Sequence, residues 1–136
     1  LVRALETSLA ASRKVKDMSD EISWHVELAV KPNQLTAFRE LTAEMVAATH
    51  AERGVLSYRR FVSDDGTVVY VHERYVDSDA AVVHLEDFSA RFGERYATLV
   101  ERRRFIVFGD PGPTLKRHLE RYDVAYEKPL GDLAYW

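Results

Sequence analysis

One stretch, Gly54 to Phe88, limits what this chain can fold into more than any other: GVLSYRRFVSDDGTVVYVHERYVDSDAAVVHLEDF. Val55 to Val62 is rich in β-branched and aromatic residues, the composition of a half-buried strand. Ser63-Asp64-Asp65-Gly66 carries turn chemistry, because Asp bonds its own backbone and Gly supplies a positive φ. Thr67 to Tyr75 is then the return strand of a hairpin. At Asp77-Ser78-Asp79 the apolar period switches from strand-like to helix-like. Ser78 is placed to cap the helix, and Asp79 suits the positive end of its dipole. The helix carries Ala81, Leu85 and Phe88 on one face, with His84 on the shoulder of that stripe.

The flanking segments complete a pattern. In Ile22 to Val30, Ile22, Trp24, Val26, Leu28 and Val30 alternate with Ser23, His25, Glu27 and Ala29, which predicts a strand with one greasy and one mixed face. Lys31-Pro32-Asn33 ends it, with Asn33 as the expected cap of a helix over 34–53 whose stripe is Leu35, Phe38, Leu41, Met45 and Ala48. Gly54 is the expected residue just past that helix. Ser89 to Arg104 reads as a further helix, broken or kinked at Gly93. Phe92, Tyr96, Leu99 and Val100 mark its dry face, and Arg95, Glu101, Arg102 and Arg104 its wet one. Phe105 to Phe108 is short and continuous, a buried strand, stopped by Gly109-Asp110-Pro111-Gly112-Pro113. Thr114 can cap a short helix to about Arg121, and Asp123 to Pro129 is a weak strand that Pro129 confines to a sheet edge.

The order β-α-β-β-α-β predicts an α+β fold, a ferredoxin-like split βαβ with an antiparallel sheet and both helices on one face. The mixed face still needs cover, so a homodimer whose two sheets meet as a barrel is expected. Three parts follow: an extension over 1–20, a core domain over 21–109, and a helix–strand appendage over 110–136. Residues 1–17 lack any strand signal, and Met18-Ser19-Asp20 looks like a translation start. The first 17 residues are therefore expected to be a leader, residues of artificial origin, or a helical arm. At the other end, Leu133, Tyr135 and Trp136 form a sticky terminus suited to docking on the body or a partner.

With 136 residues the chain is one domain. It has no cysteine, which removes disulfides, thiolate metal sites and a cysteine nucleophile. The net charge of −3 gives no general affinity for nucleic acid or anionic membranes. Arg102-Arg103-Arg104 is flanked by Glu101 and lacks an aromatic ladder, so it reads as a solvated helix face. No apolar run approaches the roughly 18 residues of a membrane span, and a cytoplasmic protein is the default. No phosphate-binding glycine loop or nucleophile elbow is present, and neither flavin nor nicotinamide is expected.

From Ile22 to Phe108 the chain resembles the antibiotic biosynthesis monooxygenase (ABM) family. The resemblance rests on three features: Lys31-Pro32 between the first strand and its helix, Gly54 with Leu56-Ser57-Tyr58 behind it, and Glu73-Arg74-Tyr75, Ala80-Ala81 and His84-Leu85. The family usually has Trp where Tyr75 stands, and a Pro-His pair where this chain has Ser89-Ala90-Arg91. The resemblance implies a dimeric α+β barrel with a pocket between sheet and helices of each protomer. It also implies one of several activities: oxygenation of quinols or anthrones without a cofactor, haem degradation, or isomerisation of small ketones.

On that reading His84 is the expected catalytic base, because an unperturbed imidazole ionises near working pH, with the Glu73 carboxylate as a second candidate base. Trp24, Tyr75, Phe88, Phe92 and Tyr96 are expected to bind a small aromatic substrate; the same rings also read as an ordinary core. His25, Glu27, Tyr58, Tyr70 and His72 form a second set, with metal-ligand composition but no ligand spacing, and read as a polar dimer interior. No metal or other cofactor is expected. His50 and His118 read as surface residues. Three functions stay open: a cofactor-independent oxygenase on a quinol- or anthrone-type aromatic, an isomerase on the same scaffold, and a non-enzymatic ligand-binding or stress-related dimer.

Overall fold

The computed structural model describes residues 20–131. The expected leader or arm before Asp20 and the terminus with Leu133, Tyr135 and Trp136 lie outside the described residues. The elements run β1 (Ile22–Val30), α1 (Leu35–His50), β2 (Val55–Val62), β3 (Val68–Tyr75), α2 (Ser78–Arg91), α3 (Gly93–Leu99), β4 (Val100–Phe108), α4 (Pro113–Leu119) and β5 (Ala125–Glu127). The sheet order is β2-β3-β1-β4-β5. All pairs are antiparallel except the parallel β4–β5 edge. This is the ferredoxin-like α+β arrangement that the element order predicts. No helix among the described residues is long and apolar enough to cross a membrane.

Strand alternation sorts the residues of β1 as expected. Ile22, Trp24, Val26 and Leu28 are buried, together with Phe38, Leu41 and Met45 of α1 and Ala81 and Leu85 of α2. Leu115 and Leu119 of α4 are fully buried in the same core, so α4 packs into the body. The hairpin turn works as its chemistry dictates. Asp65 Oδ1 accepts from the Thr67 backbone N–H (3.0 Å) and hydroxyl (2.7 Å), and Gly66 takes φ 73°.

Several local expectations need correction. Asn33 does not cap α1; it sits at φ 63° in the turn, and Gln34 precedes the helix without a side-chain cap. Asp77, not Ser78, caps α2, accepting from the Ala80 N–H at 2.9 Å. Ser78 Oγ instead accepts from the Gly112 N–H at 2.9 Å and ties α2 to the segment entering α4. α1 ends four residues before Gly54, which serves close packing: a Cβ there would lie 2.3 Å from that of Ala80. Nor does Thr114 cap α4, which begins with Pro113 after an extended Gly112.

The largest correction concerns residues 89–104. They are not one helix. α2 ends at Arg91, α3 is a short helix of about two turns, and the chain extends into β4 from Val100. β1 captures this segment: Val30 pairs with Val100, and the Lys31 N–H donates to the Leu99 carbonyl at 3.0 Å. Lys31 Nζ also donates to the Ala97 carbonyl (2.8 Å) at the C-terminal end of α3. The arginines 102–104 therefore lie on a strand, not on a helix face. The pairing shifts between Glu27–Arg104 and Leu28–Arg102, leaving Arg103 as the extra residue of a bulge.

Candidate active site

Four elements bring polar side chains to the covered face of the sheet. β3 contributes Glu73 and Tyr75, which share a face because they are two residues apart. The register sets Trp24 of β1 on one side of Glu73 and Tyr58 of β2 on the other. β2 adds Arg60, and α2 lowers His84 from above. Glu73, His84 and Trp24 are each at most 5% exposed.

Glu73 is the hub. Its Oε1 accepts from Trp24 Nε1 at 2.9 Å and from the Tyr75 hydroxyl in a short hydrogen bond. Its Oε2 accepts from Arg60 Nη2 at 2.6 Å. His84 Nε2 stands 3.4 Å from Glu73 Oε1, while Nδ1 is 3.1 Å from Oε2 of Glu52, two residues past α1. The histidine thus bridges two carboxylates. Its ring meets Tyr58 edge-on and Tyr75 at a tilt, with centroids 5.4 and 5.3 Å away. Arg60 lies over the Tyr58 ring, its Cζ 3.5 Å from the centroid.

Charge and burial oppose each other here. Burial alone would raise the Glu73 pKa, but the Arg60 charge, then His84 and the hydrogen bonds from Tyr75 and Arg60, carry it below the usual carboxylate value. Burial first, and the Glu73 charge second, push the phenols of Tyr58 and Tyr75 upward. Tyr96 moves the same way, mainly through burial. The cluster is therefore a fixed carboxylate among neutral phenols, with Arg60 held cationic.

These groups edge an inner cavity of about 40 Å³, lined by Trp24, Tyr58, Arg60, Glu73, His84 and Phe88 among others. That volume holds a few waters, or the reacting edge of a ligand, but not a ring system. Phe88, Tyr96, Arg102 and Tyr122 are shared with an outer cleft of about 410 Å³, which reaches Ser89, Gly93 and Ala97 and is within the range of small-molecule sites. The bulge at Arg103 is what lets Arg102 and Phe105, three residues apart on one strand, both face the cavity. Arg102 Cζ lies 4.4 Å from the Tyr122 ring centroid, and Tyr122 stacks on Phe105.

The family model described as antibiotic biosynthesis monooxygenase matches residues 22–87. The chain carries an ABM domain. MupZ from Pseudomonas fluorescens is similar over 79% of this chain and 88% of its own, at 21% identity and a TM-score of 0.71. A conserved protein from Methanosarcina mazei Go1 covers 71% of this chain and 98% of its own, at 14% identity and TM-score 0.63. Rv0793 from Mycobacterium tuberculosis is 26% identical over 68% of this chain and 96% of its own, with TM-score 0.54. No curated protein matches by sequence.

Within the ABM domain, Trp24, Glu73, Tyr75 and His84 come together in one network, and Phe88, one residue past the match, lines the cavity beside them. Beyond the span of the family match, Tyr96 reaches the same cavity. Phe92 is buried but lines neither the inner cavity nor the outer cleft; the Arg91 guanidinium lies over its ring. Four participants were not anticipated as site residues: Glu52, Arg60, Arg102 and Tyr122. Arg60 could have been found from its parity with Tyr58 on one strand. The other three depend on contacts between distant segments.

The second set divides. Tyr58 belongs to the covered face, opposite Glu73. His25 and His72 pair across β1 and β3 on the open face, their rings stacked 4.0 Å apart. Phe108 and Phe61 flank them. Burial, then the neighbouring His72, lowers the His25 pKa. Among the described residues no group of three His, Asp or Glu side chains is placed to hold a metal ion. His50 ends α1 exposed, whereas His118 is half-buried and meets Glu86 at 3.0 Å.

Proposed function

We propose that the chain is a cofactor-independent monooxygenase that acts on a quinol- or anthrone-type aromatic with O₂. The observation that carries this reading is the buried His84, held between Glu52 and Glu73 at the floor of an aromatic-lined cavity. His84 takes the substrate proton and becomes an imidazolium, which both carboxylates stabilise. Glu73, already held ionised by Arg60, orients the ring rather than acting as base. The carbanion or enolate of an anthrone methylene then donates electrons to O₂, and a C–O bond forms to give a peroxide. His84 returns the proton to the distal oxygen; the remaining C–H and the O–O bond break, giving a ketone and water. All electrons come from the substrate, and one oxygen atom enters each product.

The ring system would lie in the outer cleft between Phe88, Tyr96 and Tyr122, with only its reacting edge in the inner cavity, near Trp24 and Tyr75. Water is kept from the anion by the same rings. We further propose that two copies pair through the open face. Its apolar members include Phe61, Tyr70, Ile106 and Phe108, and two of them, Phe61 and Tyr70, are more than 40% exposed in the single chain.

Oxygen uptake with a panel of anthrones and quinols tests the reaction. His84→Ala should abolish uptake while the melting temperature stays within a few degrees. Uptake that survives in this variant removes His84 from the mechanism. A substrate whose absorbance shifts with no O₂ consumed points to isomerisation instead.

A further inference from the structure

Arg60 has more hydrogen-bonding capacity than the protein uses. Nη2 serves Glu73, but Nε and Nη1 are buried and meet no acceptor among the described residues. A buried donor without an acceptor forfeits the hydrogen bond that it made to water, the more so when charged, so such a group calls for a partner. The guanidinium lies at the inner cavity, because both groups that it touches, the Tyr58 ring and Glu73, line that cavity. Its other border is a groove of about 210 Å³ under α1, where Leu35, Phe38, Val62 and Val69 stand with Arg39 and Thr42. A second cation, Arg102, stands where the cavity opens into the outer cleft, enclosed by the rings of Tyr96, Phe105 and Tyr122.

We propose that Arg60 binds the ionised oxygen of the substrate: its free N–H groups donate to a phenolate or enolate oxygen in the inner cavity, while Arg102 draws the anion in at the mouth. This names an acidic phenol or enol as the ligand class and makes Arg60 a catalytic residue. It rests on the reading of His84 as the proton acceptor, because the negative charge left when His84 takes the proton, from O–H or from C–H, settles on the oxygen that Arg60 receives. Donors fixed in a dry site stabilise a developing anion without reorganising, which is where such groups act most strongly. Glu73 neutralises one edge of the guanidinium, and the charge-assisted donors that remain are directional.

The probe is 4-nitrophenol, whose anion absorbs visible light and which does not react with O₂. With saturating protein, the bound phenol should ionise at least about one pH unit below its value in buffer, a tenfold shift. Arg60→Lys keeps a cation beside Glu73 but replaces the fork, with its Nε and Nη1 fixed toward the cavity, by a single ammonium drawn to Glu73, and should abolish most of that shift. Should Arg60→Lys not fold, the charge-balanced pair R60M/E73Q carries the same expectation. Arg102→Gln should weaken binding of the anion about tenfold and leave the ionisation of the bound probe in place. The proposal is overturned if wild-type protein does not bind the probe, if the bound probe ionises as in buffer, or if the Arg60 variant shifts it as wild type does. Oxygen uptake is a separate arm. A shift without uptake on any anthrone sinks the oxygenase reading and keeps Arg60; uptake without a shift does the reverse.

Discussion

Two neighbouring residues of β3 meet opposite environments. On the covered face Glu73 gathers Trp24, Tyr75, Arg60 and His84 around one carboxylate. One residue earlier, on the open face, His72 stacks on His25 between Phe61 and Phe108. Both clusters contain histidine and aromatic rings. They differ in water and in fixed charge. The covered cluster is buried, so each ion must be held by a partner, and the partners impose one geometry. The open cluster carries exposed rings and needs a second surface rather than a network. A histidine in a sequence does not announce which of these it serves; the layer above it does.

The sharpest way to break this contrast is to remove the hub. Glu73→Ala leaves Arg60 buried without its counter-ion, and should lower the unfolding free energy by about 3–5 kcal/mol in a denaturant titration. A loss below about 1 kcal/mol would mean that the network is not what holds the covered face. The same carboxylate predicts a pH response. Its pKa in the fold lies below the unfolded value, so its contribution is fully present above the unfolded carboxylate pKa of about 4.3 and is lost as pH falls through the folded one. Glu73→Gln should therefore be less stable at neutral pH but show a flatter acid limb, measured as melting temperature from neutral to acid.

On the open face the test is association, not folding. Ile106→Glu should raise the dimer dissociation constant at least tenfold, about 1.4 kcal/mol, in sedimentation, with little change in the melt of the single chain. Wild-type protein that sediments as a single chain at micromolar concentration would end the distinction, since that face would then need no cover. The smallest effect is at the edge of the covered side. Asp77→Ala removes the cap of α2, the helix that suspends His84, and should cost about 1 kcal/mol of thermal stability.

Much of the frame was legible because it is local. The alternation in Ile22–Val30, the Asp65-Gly66 turn and the Ala81–Leu85 stripe each declare a period within a few residues, and each is found where expected. Residues 89–104 read as one helix because Phe92, Tyr96, Leu99 and Val100 keep a helical spacing. That stripe is helical only to Leu99; from Val100 pairing with β1 draws the chain into a strand, which no neighbouring residue announces. Gly54 was misread for a related reason: a glycine just past a helix resembles a stop, and its contact with Ala80 spans the hairpin.

By itself, then, the sequence determined the order and kind of the principal elements, the two-faced sheet, and the grouping of Glu73 with Tyr75 and of Ala81 with Leu85. Those follow from backbone periodicity, which acts over neighbours. Only the tertiary structure decided that Trp24, Arg60, Glu52 and His84 converge on Glu73, that Tyr58 turns toward them, and that Arg102 and Tyr122 close the cavity. Register and bulges are set by pairing between distant strands, and no local preference encodes them.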